Sequence, residues 1–152
     1  MSLRGPTCVT LLACGLATGC RSRNPVGFWD IRSINIETDA GDGSRGDCGT
    51  LEWTKTDSIT VILRYEVTDP AEASGADTAD ADGPTWMAPI SPPLRATASG
   101  NPKDGFSIHI TDTFRVDNLA PSDWAGDTLT LSSDEGTVGT QSGASVRFEL
   151  QR

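Results

Sequence analysis

The most regular feature of the chain is alternation with period two. Ile59, Val61, Leu63, Tyr65 and Val67 alternate with Thr60, Ile62, Arg64, Glu66 and Thr68, which predicts a strand with one buried face. Phe106, Ile108, Ile110, Phe114 and Val116 repeat the pattern, with Asp112 interrupting it. That predicts either one long bent strand or two strands broken near Asp112. At the C-terminus Val146, Phe148 and Leu150 alternate with Ser145, Arg147 and Glu149, and before them Leu129 and Leu131 alternate with Thr and Ser. Val26 to Glu37 reads as a strand with Phe28 and Trp29 on opposite faces. Leu51 and Trp53 make a shorter strand, and Leu94 to Ala98 a weak one. No segment carries a helical period.

The breaks between these runs are turn chemistry. Asp39 to Asp47, rich in Gly and Asp, can supply several positive-φ positions. Thr56-Asp57, Gly126-Asp127 and Asp134-Glu135-Gly136 supply further turns. Six to eight strands joined mostly by short turns predict an all-β antiparallel meander, closed as a barrel or a sandwich. One segment stands apart. Residues 69–93 hold five of the nine prolines and five acidic residues, with few apolar side chains besides Trp86, Met87 and Ile90. This composition predicts a long, disordered acidic loop rather than a core strand, with Trp86-Met87 available to dock on the barrel or plug its mouth.

Composition adds a second layer. The chain of 152 residues has room for one domain. Arg4 is the one charge in residues 1–19, which leaves 11 basic against 21 acidic residues from Cys20 onward. So acidic a domain is repelled by phosphate backbones, and nucleic acid is not an expected partner. Arg4 is followed by the apolar run Cys8 to Ala17, of signal-peptide length and too short to span a bilayer. The run ends in Leu16-Ala17-Thr18-Gly19-Cys20, which resembles the lipobox of bacterial lipoproteins, although Ala17 stands where that family usually has Leu. The resemblance implies a signal peptide over 1–19, a lipid (palmitate among its chains) on Cys20, and a tether over 20–25. Because Arg21 rather than Asp follows Cys20, it implies a cell-envelope protein held by lipid in the outer membrane, where the host has one. With Cys20 lipidated, Cys48 has no partner within the mature chain and reads as a partly buried structural thiol.

Gly27-Phe28-Trp29 at the start of the first strand resembles the Gly-x-Trp signature of lipocalins and of shorter bacterial lipocalin-like domains. The stretches Trp124 to Leu131 and Val146 to Arg152 look like the last hairpin of those domains. The resemblance covers residues 26–68 and 104–152. It implies an eight-stranded barrel over 26–152, closed at one end by Trp29, with Arg147 or Arg152 across the indole. The long 69–93 segment and the lack of a helix after the barrel depart from true lipocalins.

Other constellations are weak. Asp77 to Gly83 resembles half of a calcium loop but puts Pro89 where the closing Glu belongs. Arg45-Gly46-Asp47 is too common a tripeptide to carry function. His109 is the only histidine, without zinc-ligand spacing, and there is no Gly-x-Ser-x-Gly elbow or phosphate loop. No catalytic residue, metal or cofactor is expected. The sequence favours a monomeric, non-enzymatic, lipid-anchored module that binds a small apolar ligand or an envelope partner. The alternative is a structural or interaction lipoprotein with a filled core and no ligand.

Overall fold

The computed structural model describes residues 24–56, 58–72, 83–101 and 104–152. Eight antiparallel strands follow one another in order: β1 (Gly27–Thr38), β2 (Gly41–Trp53), β3 (Ile59–Val67), β4 (Met87–Asn101), β5 (Gly105–Thr111), β6 (Phe114–Ala125), β7 (Thr128–Val138) and β8 (Gln141–Gln151). Each pairs with the next, and β8 pairs with β1 to close the barrel, from Asp30↔Gln151 to Glu37↔Ser145. A single 3₁₀ turn, Pro70–Glu72, is the one helical element among the described residues. This is the all-β, eight-stranded meander barrel that the alternation and the lipocalin resemblance predict. Closure gives every strand two neighbours and leaves no bare sheet edge to seed aggregation.

The inward residues are the apolar half of each alternating run. Ile59, Val61, Leu63 and Val67 of β3, and Val146, Phe148 and Leu150 of β8, are all 0–1% exposed. Asp112 does divide two strands, β5 and β6. In β1 the pairing register shifts between Ile31 and Ser33, so the inward set is Trp29, Ile31, Ile34 and Ile36. Phe28 faces out and is 69% exposed.

Besides Asp134-Glu135-Gly136, which lies within β7 at a register shift against β8 rather than in a turn, two segments differ from their sequence reading. The Gly/Asp-rich stretch is not one broad turn. Asp39-Ala40 makes a two-residue turn and β2 begins at Gly41. A bulge with Asp47 at φ 52° then brings Cys48, Leu51 and Trp53 inward. The second difference is 69–93. Asp69 and Pro70 are buried, and β4 starts at Met87, which is fully buried beside Trp86. The prolines are tolerated because the β3–β4 ladder jumps from Leu63↔Leu94 to Tyr65↔Pro89, leaving residues 90–93 outside the pairing. Of the proposed loop, 73–82 lies outside the described residues, as do the 1–19 segment and Cys20.

The barrel has two distinct ends. The near end gathers Gly27, Trp53, Ile59, Asn101, Gly105, Ala125, Thr128 and Gln151, so the described chain enters and leaves there. The far end gathers Thr38, Gly41, Val67, Met87, Thr111, Phe114, Val138 and Gln141.

Candidate functional site

The near end is closed by side chains. Trp29 is 1% exposed, and its indole Nε1 donates to the Pro25 carbonyl at 2.7 Å. The Arg152 guanidinium lies over the ring, with Cζ 4.1 Å from its centroid. The same guanidinium donates to the carbonyls of Asn24 (2.7 Å) and Val26 (3.2 Å). Trp124 meets Trp29 edge to face, centroids 6.0 Å apart. Gly27 lies beneath, where a Cβ would stand 3.6 Å from the Arg152 Nη1. Arg152 is therefore the arginine across the indole. Arg147, the other candidate, faces out and pairs with Glu149 at 3.6 Å.

The far end is closed by the β3–β4 connection, held down by side-chain hydrogen bonds. Asp69, at 6% exposure, accepts from the Thr140 amide (2.8 Å), the Thr140 hydroxyl (2.5 Å) and the Ala71 amide (2.9 Å). These hydrogen bonds, led by the Thr140 hydroxyl, hold its carboxyl below the ordinary value. Gly139 turns beneath it at φ 61°, where a Cβ would stand 2.2 Å from that of Asp69. On the other side the buried Arg45 donates to the carbonyls of Met87 (2.8 Å) and Pro84 (2.9 Å). Trp86 rests on Gly43, where a Cβ would be 2.7 Å from the indole. Arg45 of the Arg-Gly-Asp tripeptide is thus an internal brace rather than an exposed recognition residue.

Among the described residues the interior is packed with side chains. An enclosed ligand space, roughly 300 Å³ at the small end of the range, would leave accessible area on the side chains around it. Ile36, Leu51, Ile59, Ile108, Leu131 and Phe148, drawn from around the barrel, have none. Trp29, Trp53, Phe106, Phe114 and Phe148 are the largest of its fully buried side chains, as expected of a small barrel packed with side chains. Among the described residues, hollows lie open on the outside. One, of about 160 Å³, is lined by Asn35, Glu37, Ser132, Ser133, Asp134, Ser145, Val146 and Arg147. A second, of about 280 Å³, lies among Asp30, Arg32, Asp47 and Arg64, and a third, of about 300 Å³, lies along Asn35–Glu37 and Asp42–Ser44. The second is the most polar of them.

Cys48 is fully buried and its thiol donates to the Arg45 carbonyl at 3.0 Å. Burial pushes its pKa up to about 12, so it stays protonated and unreactive at neutral pH. His109 is exposed on β5, 3.8 Å from Asp112. Among the described residues no group of three His, Cys, Asp or Glu side chains is placed to hold a metal. Asp77–Asp82 of the calcium-like stretch lie outside them. Sequence reasoning missed Asp69, Arg45 and Gly43 as the parts that close the far end. A scan against protein-family models and searches of curated proteins and of solved structures found no match.

Proposed function

We propose that this chain is a lipid-anchored envelope lipoprotein, mature from Cys20, whose filled barrel acts through its outer surface and encloses no ligand. The packed interior carries this reading. It favours the structural or interaction alternative over an apolar-ligand carrier, because a carrier needs free volume where this barrel has aromatic and aliphatic side chains in contact. The lipobox-like sequence supports the anchor. Neither catalysis nor a cofactor forms part of this role.

Two measurements test it. Cells labelled with a clickable palmitate analogue should label the wild type and not Cys20→Ser; equal label on both would end the lipoprotein assignment. Titration of the purified barrel with a fluorescent fatty acid should show no saturable binding. A stoichiometric complex would restore the carrier reading and require the interior to open.

A further inference from the structure

We propose that the outer hollow among Asp30, Arg32, Asp47 and Arg64 binds a small zwitterion, an α-amino acid. Its carboxylate lies on the two arginines and its ammonium group on the two aspartates. The inference rests on the reading that the barrel acts through its outer surface, and gives that surface a ligand class; it needs no lipid anchor.

The hollow lies on a crease in the barrel wall. The β1–β2 ladder jumps from Ile31↔Gly49 to Ser33↔Gly46, and the β1–β8 ladder from Ile31↔Leu150 to Ser33↔Glu149. The β3–β4 ladder jumps from Leu63↔Leu94 to Tyr65↔Pro89, and β2–β3 pairing stops at Gly49↔Leu63. The irregularities therefore fall at one level from β1 to β4, and the residues they leave out of the pairing include Arg32, Asp47 and Arg64. Bulges re-aim side chains and gather beside functional sites. Here all three residues line one hollow of about 280 Å³, together with Asp30, Ile31 and Gly49. The backbone is constrained to make it. Asp47 is held at φ 52°, and at Gly49, φ 136°, a Cβ would stand 1.8 Å from the Ile62 carbonyl oxygen. Such conformations persist where the surrounding structure over-determines them, and they cluster at ligand sites.

The charges select a zwitterion. Two guanidinium and two carboxylate groups share the hollow, yet among the described residues no ion pair joins any two of them. Spacing alone does not explain this. Arg115 and Arg147 each pair with the acid two positions on, at 3.3 and 3.6 Å. Arg32 has Asp30 at the same spacing, and its guanidinium turns instead to the Gln151 carboxamide. A simple anion would meet Asp30 and Asp47, and a simple cation would meet Arg32 and Arg64. A molecule that carries both charges close together satisfies all four. The volume matches the small end of the range for small-molecule sites, roughly 300 Å³. A second copy of the chain brought up by twofold symmetry would set one concave surface against another.

L-Serine is the probe, with two analogues that each keep one charge. L-Glycerate has a hydroxyl in place of the ammonium group, and ethanolamine lacks the carboxylate. In the full chain, serine should move the amide resonances of Asp30–Arg32, Asp47–Gly49 and Arg64 saturably. Each analogue should bind about tenfold or more weakly, the loss of one charge-assisted pair. Arg64→Gln should weaken serine and glycerate by about tenfold and leave ethanolamine unchanged. Asp47→Asn should weaken serine and ethanolamine and leave glycerate unchanged. Both side chains are exposed, and Asn accepts the positive φ that Asp47 adopts, so each variant keeps the fold. Glycerate bound as tightly as serine would make this an anion site and overturn the assignment. So would serine shifts that are absent, that do not saturate, or that survive both variants. Shifts at these amides that follow protein concentration without serine would place a second copy on the hollow and overturn it too. The fatty-acid titration judges the filled interior separately, so failure here and failure of that reading are distinguishable.

Discussion

Trp29 and Trp53 are both 1% exposed at the near end of the barrel, yet their polar atoms are served differently. The Trp29 N–H reaches the Pro25 carbonyl, and its ring carries Arg152. The Trp53 N–H is buried without a hydrogen-bond partner, its ring edge-on to Phe106 at 6.3 Å. Replacing Trp29 by Phe removes a hydrogen bond and leaves a buried carbonyl short of a donor. Replacing Trp53 by Phe removes a donor that was never satisfied. We expect Trp29→Phe to cost about 1–2 kcal/mol more than Trp53→Phe in denaturant unfolding. A double-mutant cycle should find coupling of roughly 1 kcal/mol between Trp29 and Arg152, and none between Trp29 and Arg147. Asp69 gives the second prediction at this scale. Its folded-state pKa is lowered, so its contribution to stability is fully present above the unfolded value of about 3.8 and is lost as pH falls through the folded value. Unfolding midpoints measured from pH 6 to pH 3 should therefore converge between wild type and Asp69→Asn as the pH drops. A constant gap would show that the carboxylate's charge contributes nothing.

At the level of elements, strands were legible where side chains alternate and obscured where backbone chemistry dominates. Ile59–Val67, Phe106–Val116 and Val146–Leu150 announce their inward faces residue by residue. The first half of β2 carries Gly41, Gly43 and Gly46. Its glycines read as a turn, but Gly43 is there because Trp86 occupies the space of its side chain. The first half of β4 carries Pro89, opposite Tyr65, and Pro92 and Pro93, whose missing donors fall where the ladder is interrupted. The closing roles of Arg45 and Asp69 gave no local signal, since the Met87 carbonyl and Thr140 lie 42 and 71 positions away. The choice between Arg147 and Arg152 was recoverable. Arg152 shares the parity of Val146, Phe148 and Leu150, which point inward, and Arg147 does not. The corrected boundary of the 69–93 segment carries its own prediction. Replacing 73–82 with a brief Gly/Ser linker should cost about 1 kcal/mol or less, because closure entropy changes slowly with loop length. Replacing 70–92 also removes Trp86 and Met87 from the core, and should cost more than about 3 kcal/mol. Equal losses in urea unfolding would mean that Trp86 adds nothing to the packing.

For the molecule as a whole, the two ends are closed by different means, and this sets where the chain can be cut. The chain enters and leaves at the near end, and the Asn24 carbonyl accepts from Arg152 at 2.7 Å. A short Gly/Ser linker can therefore join residue 152 to residue 24 without crossing the barrel. New termini between Lys55 and Thr56, both exposed, open a near-end turn held by bonds from Thr54 to Ser58 and back. Losing those local bonds should cost about 1–2 kcal/mol and leave all eight strand pairings in place. New termini between Gly139 and Thr140 open the two-residue far-end turn between β7 and β8. That turn also presents the Thr140 amide and hydroxyl to Asp69 and the Gly139 amide to the Thr113 carbonyl. Cutting it frees the start of the β3–β4 connection from the β7–β8 turn. Thermal unfolding of the two circular permutants should place the 139/140 cut well below the 55/56 cut. The 139/140 protein should also bind an environment-sensitive apolar dye, as the far end of the core opens. If the two permutants melt together and neither binds dye, the Asp69 contact is an ornament of the turn, and the barrel is held shut by strand pairing alone.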